Sequence, residues 1–360
     1  MDAVPTLDVT QAWESTQLAH DRPVLCCRFS PCGLYVVAGA QDENLIRWEL
    51  ATGTKTLLTG HAGWVHALAF HPTQSRLLSG DLYGAIRCWD YTAAQPTPLW
   101  TVEAAHQNWI LAAAFTQDGE RWITAGTDGV IRLWKTTDGT PAGELRGHDT
   151  EIYSLAVHPN GTLVSGDLMG RVVVWNLQTL TRERTIDAHL LHTRKEDFLA
   201  DVGGVRSLAF NPDGTQLAAG GMTDIESNAF CPGKPAVLVF DFASGELKQT
   251  LRPKSKSDGP VKGLVYLTVD QLAAQGENLN AVSALEFFSS TKPEPLHAIV
   301  RESGYGLSLH PDGLRLAIAG YVPKGRGGNG REAKDPSEYV SNEGVVAIYS
   351  LHEKPTLPNK

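Results

Sequence analysis

The sequence predicts an all-β fold: a closed seven-bladed β-propeller of four-stranded antiparallel blades, its last blade completed by the N-terminal strand. Three observations predict it. First, a short phrase ending in tryptophan recurs at Ile46-Arg47-Trp48, Ile86-Arg87-Cys88-Trp89, Ile131-Arg132-Leu133-Trp134 and Val172-Val173-Val174-Trp175, with spacings of 41, 45 and 41 residues. Self-similarity at that period means units that cannot bury their apolar faces alone and must stack or close into a ring. Second, seven such units begin before the chain ends, and the seventh lacks its fourth strand. Third, a spare strand at the other end, Val9 to Leu18, precedes Ala19-His20. Pairing it with the last unit closes the ring and removes the edges that invite aggregation.

The third unit is the least degraded. Ala105-His106 precedes the apolar run Trp109 to Phe115, which reads as a buried strand. Asp118-Gly119 supplies a turn, because aspartate hydrogen-bonds its own backbone and glycine accepts positive φ. Trp122 to Gly126 is a second strand, Thr127-Asp128-Gly129 a second turn, and Val130 to Trp134 a third strand. Thr137-Asp138-Gly139 turns into a more polar fourth strand, Pro141 to Leu145, before Gly147-His148 opens the next unit.

Gly-His, a serine or threonine, a turn aspartate and the tryptophan together resemble the WD-repeat (WD40) family of β-propellers, over almost the whole chain. The resemblance implies a hydrogen-bonded tetrad that stiffens each blade. Unit three carries all four members, His106, Thr124, Asp128 and Trp134. Units two and four keep His61, Ser79, Trp89 and His148, Ser165, Trp175, but place Tyr83 and Met169 where the aspartate belongs. Asp81 and Asp167, at equivalent places in Ser-Gly-Asp-Leu stretches, are expected to substitute.

Later units are degenerate but countable. Val205 to Gly214 opens a fifth, closed by Val237 to Phe240. Val261 to Leu267, Gln271 to Gly276 and Ala281 to Phe288 make a sixth. Gly306 to Gly313 opens a seventh with Val345 to Leu351 as its third strand. The expected organisation is one domain over 1–360: a closing strand in 1–20, seven repeats over 21–351 and a tail over 352–360.

Composition narrows the function classes. The net charge of −9 offers no global positive field to attract nucleic-acid backbones or acidic lipids, so neither a nucleic acid nor a membrane is an expected partner. No signal-peptide pattern opens the chain, and no apolar run approaches the ~18 residues of a membrane span. Five cysteines, an odd count without framework spacing, fit a reduced, cytoplasmic setting. No cofactor, metal or nucleophile-elbow context is evident. His189-Leu190-Leu191-His192 has ligand-like spacing, but His189 falls at the Gly-His position of unit five. Gly325, Gly327 and Gly330 satisfy a dinucleotide-loop pattern only formally, in a polar stretch (Lys324 to Ser337) that reads as a mobile loop.

Function is therefore sought where the repeat breaks. Surplus chain sits at Leu190 to Gly203, Met222 to Pro235 and Tyr321 to Gly344. In a propeller of this strand order all three emerge on one face. That face is either the functional one or the site of drift at tolerant loop tips. Thr193-Arg194-Lys195-Glu196 resembles a capping box, so a short helix is expected in the first insertion.

The same face collects the residues just after each Gly-His: Trp64, His66, Trp109, Glu151, Tyr153, Arg206, Lys262 and Tyr305. Aromatic and arginine residues at a rim are what protein-recognition hot spots use, although Trp64 and Trp109 could instead plug the channel. A peptide with an apolar anchor and an acidic neighbour would suit aromatics around units two to four and cations at Arg206 and Lys262. The reading is a non-enzymatic interaction scaffold, a monomeric ring, binding a peptide or protein partner on the loop-bearing face. Its rival is a propeller enzyme or small-molecule binder with its site at the channel mouth, for which Asp81, Asp167, Glu151 and His66 are the best polar set.

Overall fold

Why these segments become strands is plain in blade 3. Its strands are Ile110–Phe115, Arg121–Gly126, Ile131–Lys135 and Pro141–Leu145. At the first turn the Asp118 carboxylate accepts from Glu120 N–H at 2.9 Å, and Gly119 takes φ +72°. The outermost strand is half-exposed while the middle two are buried.

The computed structural model describes residues 6–197, 199–226, 231–277, 282–323 and 342–355. Seven such sheets form the propeller. Blade 1 runs from Val24–Phe29 to Lys55–Leu58, blade 2 from Val65–Phe70 to Pro98–Val102, and blade 4 from Ile152–Val157 to Thr181–Asp187. Blade 5 runs from Ser207–Phe210 to Leu247–Leu251 and blade 6 from Val261–Tyr266 to Pro295–Arg301.

Blade 7 takes Gly306–Leu309, Arg315–Val322 and Glu343–Ser350, and its outer strand is Trp13–His20, in register from Trp13 opposite Ser350 to His20 opposite Gly344. The closing strand therefore starts later than the sequence reading placed it. Val9–Gln11 is a 3-10 turn, because Asp8 caps it by accepting from Thr10 N–H at 3.0 Å. Val9 is buried with Leu285, Phe287 and Leu316 between blades 6 and 7, so its apolar side chain plugs a junction and extends no strand.

The core is distributed. Seven apolar clusters lie one in each junction between neighbouring blades, including that between blade 7 and blade 1. Every blade thus buries both faces, and no apolar residue is needed on the axis.

Hydrogen-bonded tetrads form in blades 2 to 4. Thr124 Oγ1 accepts from Trp134 Nε1–H at 2.8 Å and lies 2.8 Å from His106 Nε2, while His106 Nδ1 is 3.1 Å from Asp128. Ser79 and Ser165 do the same for His61 with Trp89 and His148 with Trp175. There Asp81 and Asp167 take the histidine Nδ1 at 2.8 Å, from a place two residues earlier in the chain. Blade 1 keeps only His20 with Asp42, at 2.9 Å. Its Arg47 stands one residue nearer its tryptophan than Arg87 does, so strand alternation turns it to the other face, where Nη1 donates to Ala93 O at 2.8 Å.

Candidate functional site

The channel mouth is built by one repeated backbone defect. The first strand of five blades carries a β-bulge whose extra residue is Leu25, His66, Leu111, Tyr153 or Lys262. A bulge re-aims a side chain that regular pleating would bury. In blades 5 and 7 the equivalent residues are Arg206 and Tyr305, whose N–H groups donate to Gly220 O (2.8 Å) and Ala319 O (2.9 Å). All seven line a cavity of about 500 Å³.

The next position in each blade is small: Cys26, Ala67, Ala112, Ser154, Ser207, Gly263 and Gly306. The blades can therefore approach closely and bond across: Ser154 Oγ donates to Val205 O (2.9 Å) and Ser207 Oγ to Val261 O (2.8 Å).

Of the eight predicted rim residues, His66, Trp109, Glu151, Tyr153, Arg206, Lys262 and Tyr305 line this cavity and Trp64 does not. Trp64 is 40% exposed and Trp109 43%. Their carbonyls accept from Leu82 and Thr127 N–H at 3.0 Å, so both stand on the inter-blade links beside the turns of their own blades. Trp109 reaches the cavity because its ring stacks on His66, with centroids 5.6 Å apart at 18°. Leu25, Leu111 and Arg28 also line it and were missed. The signal existed, since Leu25 and Leu111 follow Val24 and Ile110 as His66 follows Val65, but aliphatic residues were read as core.

The lining is electrically lopsided. The Arg206 guanidinium lies 3.6 Å from the Tyr153 ring centroid, and its Nε donates to Gly203 O at 2.6 Å. Lys262 Nζ lies 5.3 Å from the Tyr305 ring and 2.8 Å from Glu277. Arg28 Nη1 donates to the carbonyls of Cys27 (3.0 Å) and Leu307 (3.2 Å). Burial, and then the charge of Lys262, hold the His66 imidazole down at about 4, so it is a neutral plate at physiological pH. Burial raises the phenols of Tyr153 and Tyr305, which stay protonated.

Two of the three insertions lie at blade 5 and the third at blade 7. The first is a two-stranded hairpin, His192–Lys195 with Ala200–Gly203, after a 3-10 turn at His189–Leu191. The expected helix does not form. His192 Nε2 lies 2.9 Å from Asp201 across the hairpin and Lys195 Nζ donates to Ile225 O in the second insertion, contacts that hold the segment extended. His189 is exposed on Asp187 and belongs to no tetrad.

The second insertion extends a blade hairpin, Gln216–Thr223 with Lys234–Asp241, and the third extends Arg315–Val322 with Glu343–Ser350. The expected mobile loop Lys324 to Ser337, with Gly325, Gly327 and Gly330, lies outside the described residues. Among the described residues no group of three or more His, Cys, Asp or Glu could hold a metal ion, and no helix is long and apolar enough to cross a membrane.

Comparison with known proteins matches residues 13–49, 53–90, 97–135, 139–176 and 195–224 to the WD40 family model, "WD domain, G-beta repeat". The first four matches each begin at the outer strand of one blade and end on the third strand of the next. WD repeat, SAM and U-box domain-containing protein 1 of Danio rerio is 37% identical over 76 residues, 21% of this chain and 16% of that protein. Nuclear distribution protein nudF 2 of Penicillium rubens is 30% identical over 93 residues, 21% of this chain and 20% of its own length. Nuclear distribution protein PAC1 of Tuber melanosporum is 38% identical over 58 residues, 16% of this chain and 13% of its own. The chain thus spans a fifth or less of each of these relatives. With the family model matched over half its length, on a ring of seven four-stranded blades, the chain belongs to the WD40 family.

Proposed function

We propose that this ring is a non-enzymatic protein-interaction scaffold, one monomeric domain acting in the cytoplasm, whose loop-bearing face binds a peptide or protein partner. One observation carries the reading. Seven side chains at one equivalent position, five of them re-aimed by bulges, converge on a cavity of about 500 Å³, and none of the seven belongs to the apolar clusters that hold the blades. Side chains free of packing duty at a concave mouth are available for recognition. Trp64 and Trp109 supply exposed aromatic area beside that mouth, and His66, Glu151, Tyr153, Arg206, Lys262 and Tyr305 supply its polar and stacking groups.

The test is a pull-down from native lysate with wild type and a Trp64→Ala/Trp109→Ala variant, both verified as folded. A protein retained by the wild type alone supports the scaffold and locates its face. Equal retention by both moves the partner off this face.

A further inference from the structure

We infer that the channel mouth recognises an acidic linear segment of a partner protein: an Asp or Glu side chain seated on Arg206, with an apolar neighbour against the His66–Trp109 pair. The inference rests on the scaffold reading and names its ligand chemistry.

Charge is the first argument. The chain carries −9 overall, yet its cavity is lined by Arg28, Arg206 and Lys262 against one carboxylate, Glu151. The partners of these cations sharpen the point. Carboxylates neutralise some arginines of the ring, Arg87 by Glu103, Arg132 by Asp128 and Glu144, Arg171 by Asp149 and Asp167, while Arg47, Arg76, Arg121 and Arg184 bond to carbonyls outside the cavity. Lys262 likewise has Glu277. Among the described residues Arg28 and Arg206 have no carboxylate partner; their bonds go to the carbonyls of Cys27, Leu307 and Gly203. A carbonyl fixes a guanidinium in place without cancelling its charge. Two held, uncompensated guanidiniums in a concave site form a local positive well inside a negative protein.

Preorganisation is the second argument. Arg206 is clamped between the Tyr153 ring and Gly203 O, so little side-chain entropy remains to be lost when a carboxylate arrives. A planar guanidinium so held suits the bidentate geometry of a carboxylate.

The third argument is the division of the mouth. Blades 2 and 3 present the stacked His66–Trp109 pair with Leu111 beside it, blades 5 and 6 present Arg206 and Lys262, and Arg28 comes from blade 1. An imidazole kept neutral adds flat apolar surface without repelling a cationic or apolar neighbour of the acid. A basic segment would meet two uncompensated like charges, and a nucleic-acid backbone, with a charge on every phosphate, would feel the net negative field far more than a segment with one acid.

The experiment selects random linear peptides displayed on phage against the immobilised full chain, in parallel with Arg206→Gln and Trp109→Ala, each checked for wild-type folding by circular dichroism. Wild-type selections are expected to enrich Asp or Glu beside an aromatic or aliphatic residue, and both variants to lose that enrichment. For the best peptide, replacing the acid by its amide should weaken binding about tenfold, the scale of one charge-assisted hydrogen bond. Arg206→Gln should shrink that difference to less than about threefold, since the two partners are coupled. Peptides that bind in a Trp109-dependent way but carry no acid, or ignore Arg206→Gln, overturn this inference and leave the scaffold standing. Failure to enrich any Trp109-dependent peptide overturns both.

Discussion

Thr124→Val tests whether the blade tetrad is a stabilising unit or merely a recurring arrangement. Threonine and valine have nearly the same shape, so the substitution opens no cavity. It removes one hydroxyl that serves two buried groups. The Asp128 carboxylate can only accept, so His106 Nδ1 carries the hydrogen and Nε2 accepts from the Thr124 hydroxyl at 2.8 Å; Trp134 Nε1–H donates to the same oxygen at 2.8 Å. His106 and Trp134 are each only 4% exposed, so neither finds water when the hydroxyl is gone.

A buried group left unsatisfied costs about 1–3 kcal/mol, and two of them about 2–6 kcal/mol. Trp134→Phe removes one of the two orphans, so Thr124→Val/Trp134→Phe should destabilise less than the sum of its parts by about 1–3 kcal/mol. Blade 6 supplies the control: Ala274 occupies the threonine position and Phe288 the tryptophan position, and Ala274→Ser should gain nothing. Equilibrium denaturation by guanidinium reads all four. A Thr124→Val chain within about 0.5 kcal/mol of wild type, or strictly additive substitutions, would refute the reasoning.

Removing residues 1–20 strips the strand that pairs with Glu343–Ser350 and the Val9 plug, so the whole ring should melt earlier in calorimetry; an unchanged melting temperature refutes closure. Trp134→Ala should cost roughly 3–5 kcal/mol as a buried large-to-small change, and Trp64→Ala little, because Trp64 is exposed. Stability should fall on acidification in two stages. Burial lowers the pKa of His61 and His106, so the folded chain holds fewer protons than the unfolded one, and stability is lost as pH drops below about 6.5. Burial alone would raise Asp128, but hydrogen bonds from His106 and Arg132 outweigh it and hold the carboxyl well below its usual range. Its contribution is present above about pH 4 and lost below, a step that Asp128→Asn should flatten in pH-dependent denaturation.

Most of the architecture was legible because each blade repeats local chemistry. Asp-Gly turns, alternating strands and the His, Ser/Thr and Trp positions need no knowledge of distant contacts. What escaped depends on neighbours. The Thr193 to Glu196 segment has the local pattern of a helix start, but a contact with Ile225, thirty residues on, decides for a hairpin. Val9 reads as strand until its burial between blades 6 and 7 is known.

The mouth was half legible. Its aromatic and charged members stand out, whereas Leu25 and Leu111 hold the same place in silence. Blade 6 looked degenerate for a reason that is also non-local. Gly39, Gly80, Gly166 and Gly220 each face a valine or isoleucine of the next blade, and at the sixth junction the pair is exchanged. There Gln275 fills the space, and the facing residue is Gly304, where a Cβ would come within 2.4 Å of the Gln275 side chain.

Because the first four family repeats straddle two blades each, the unit of inheritance and the unit of packing are out of step by one strand. Over that stretch the ring is laid like overlapping masonry: the covalent links between those four repeats fall inside blades, and the gaps from blade 7 round to blade 4 are each crossed by an unbroken repeat. Pulling on the chain therefore cannot peel off a complete blade without tearing the next. Under mechanical load the molecule should rip through several blades in rapid succession, leaving few evenly spaced steps in a force–extension trace.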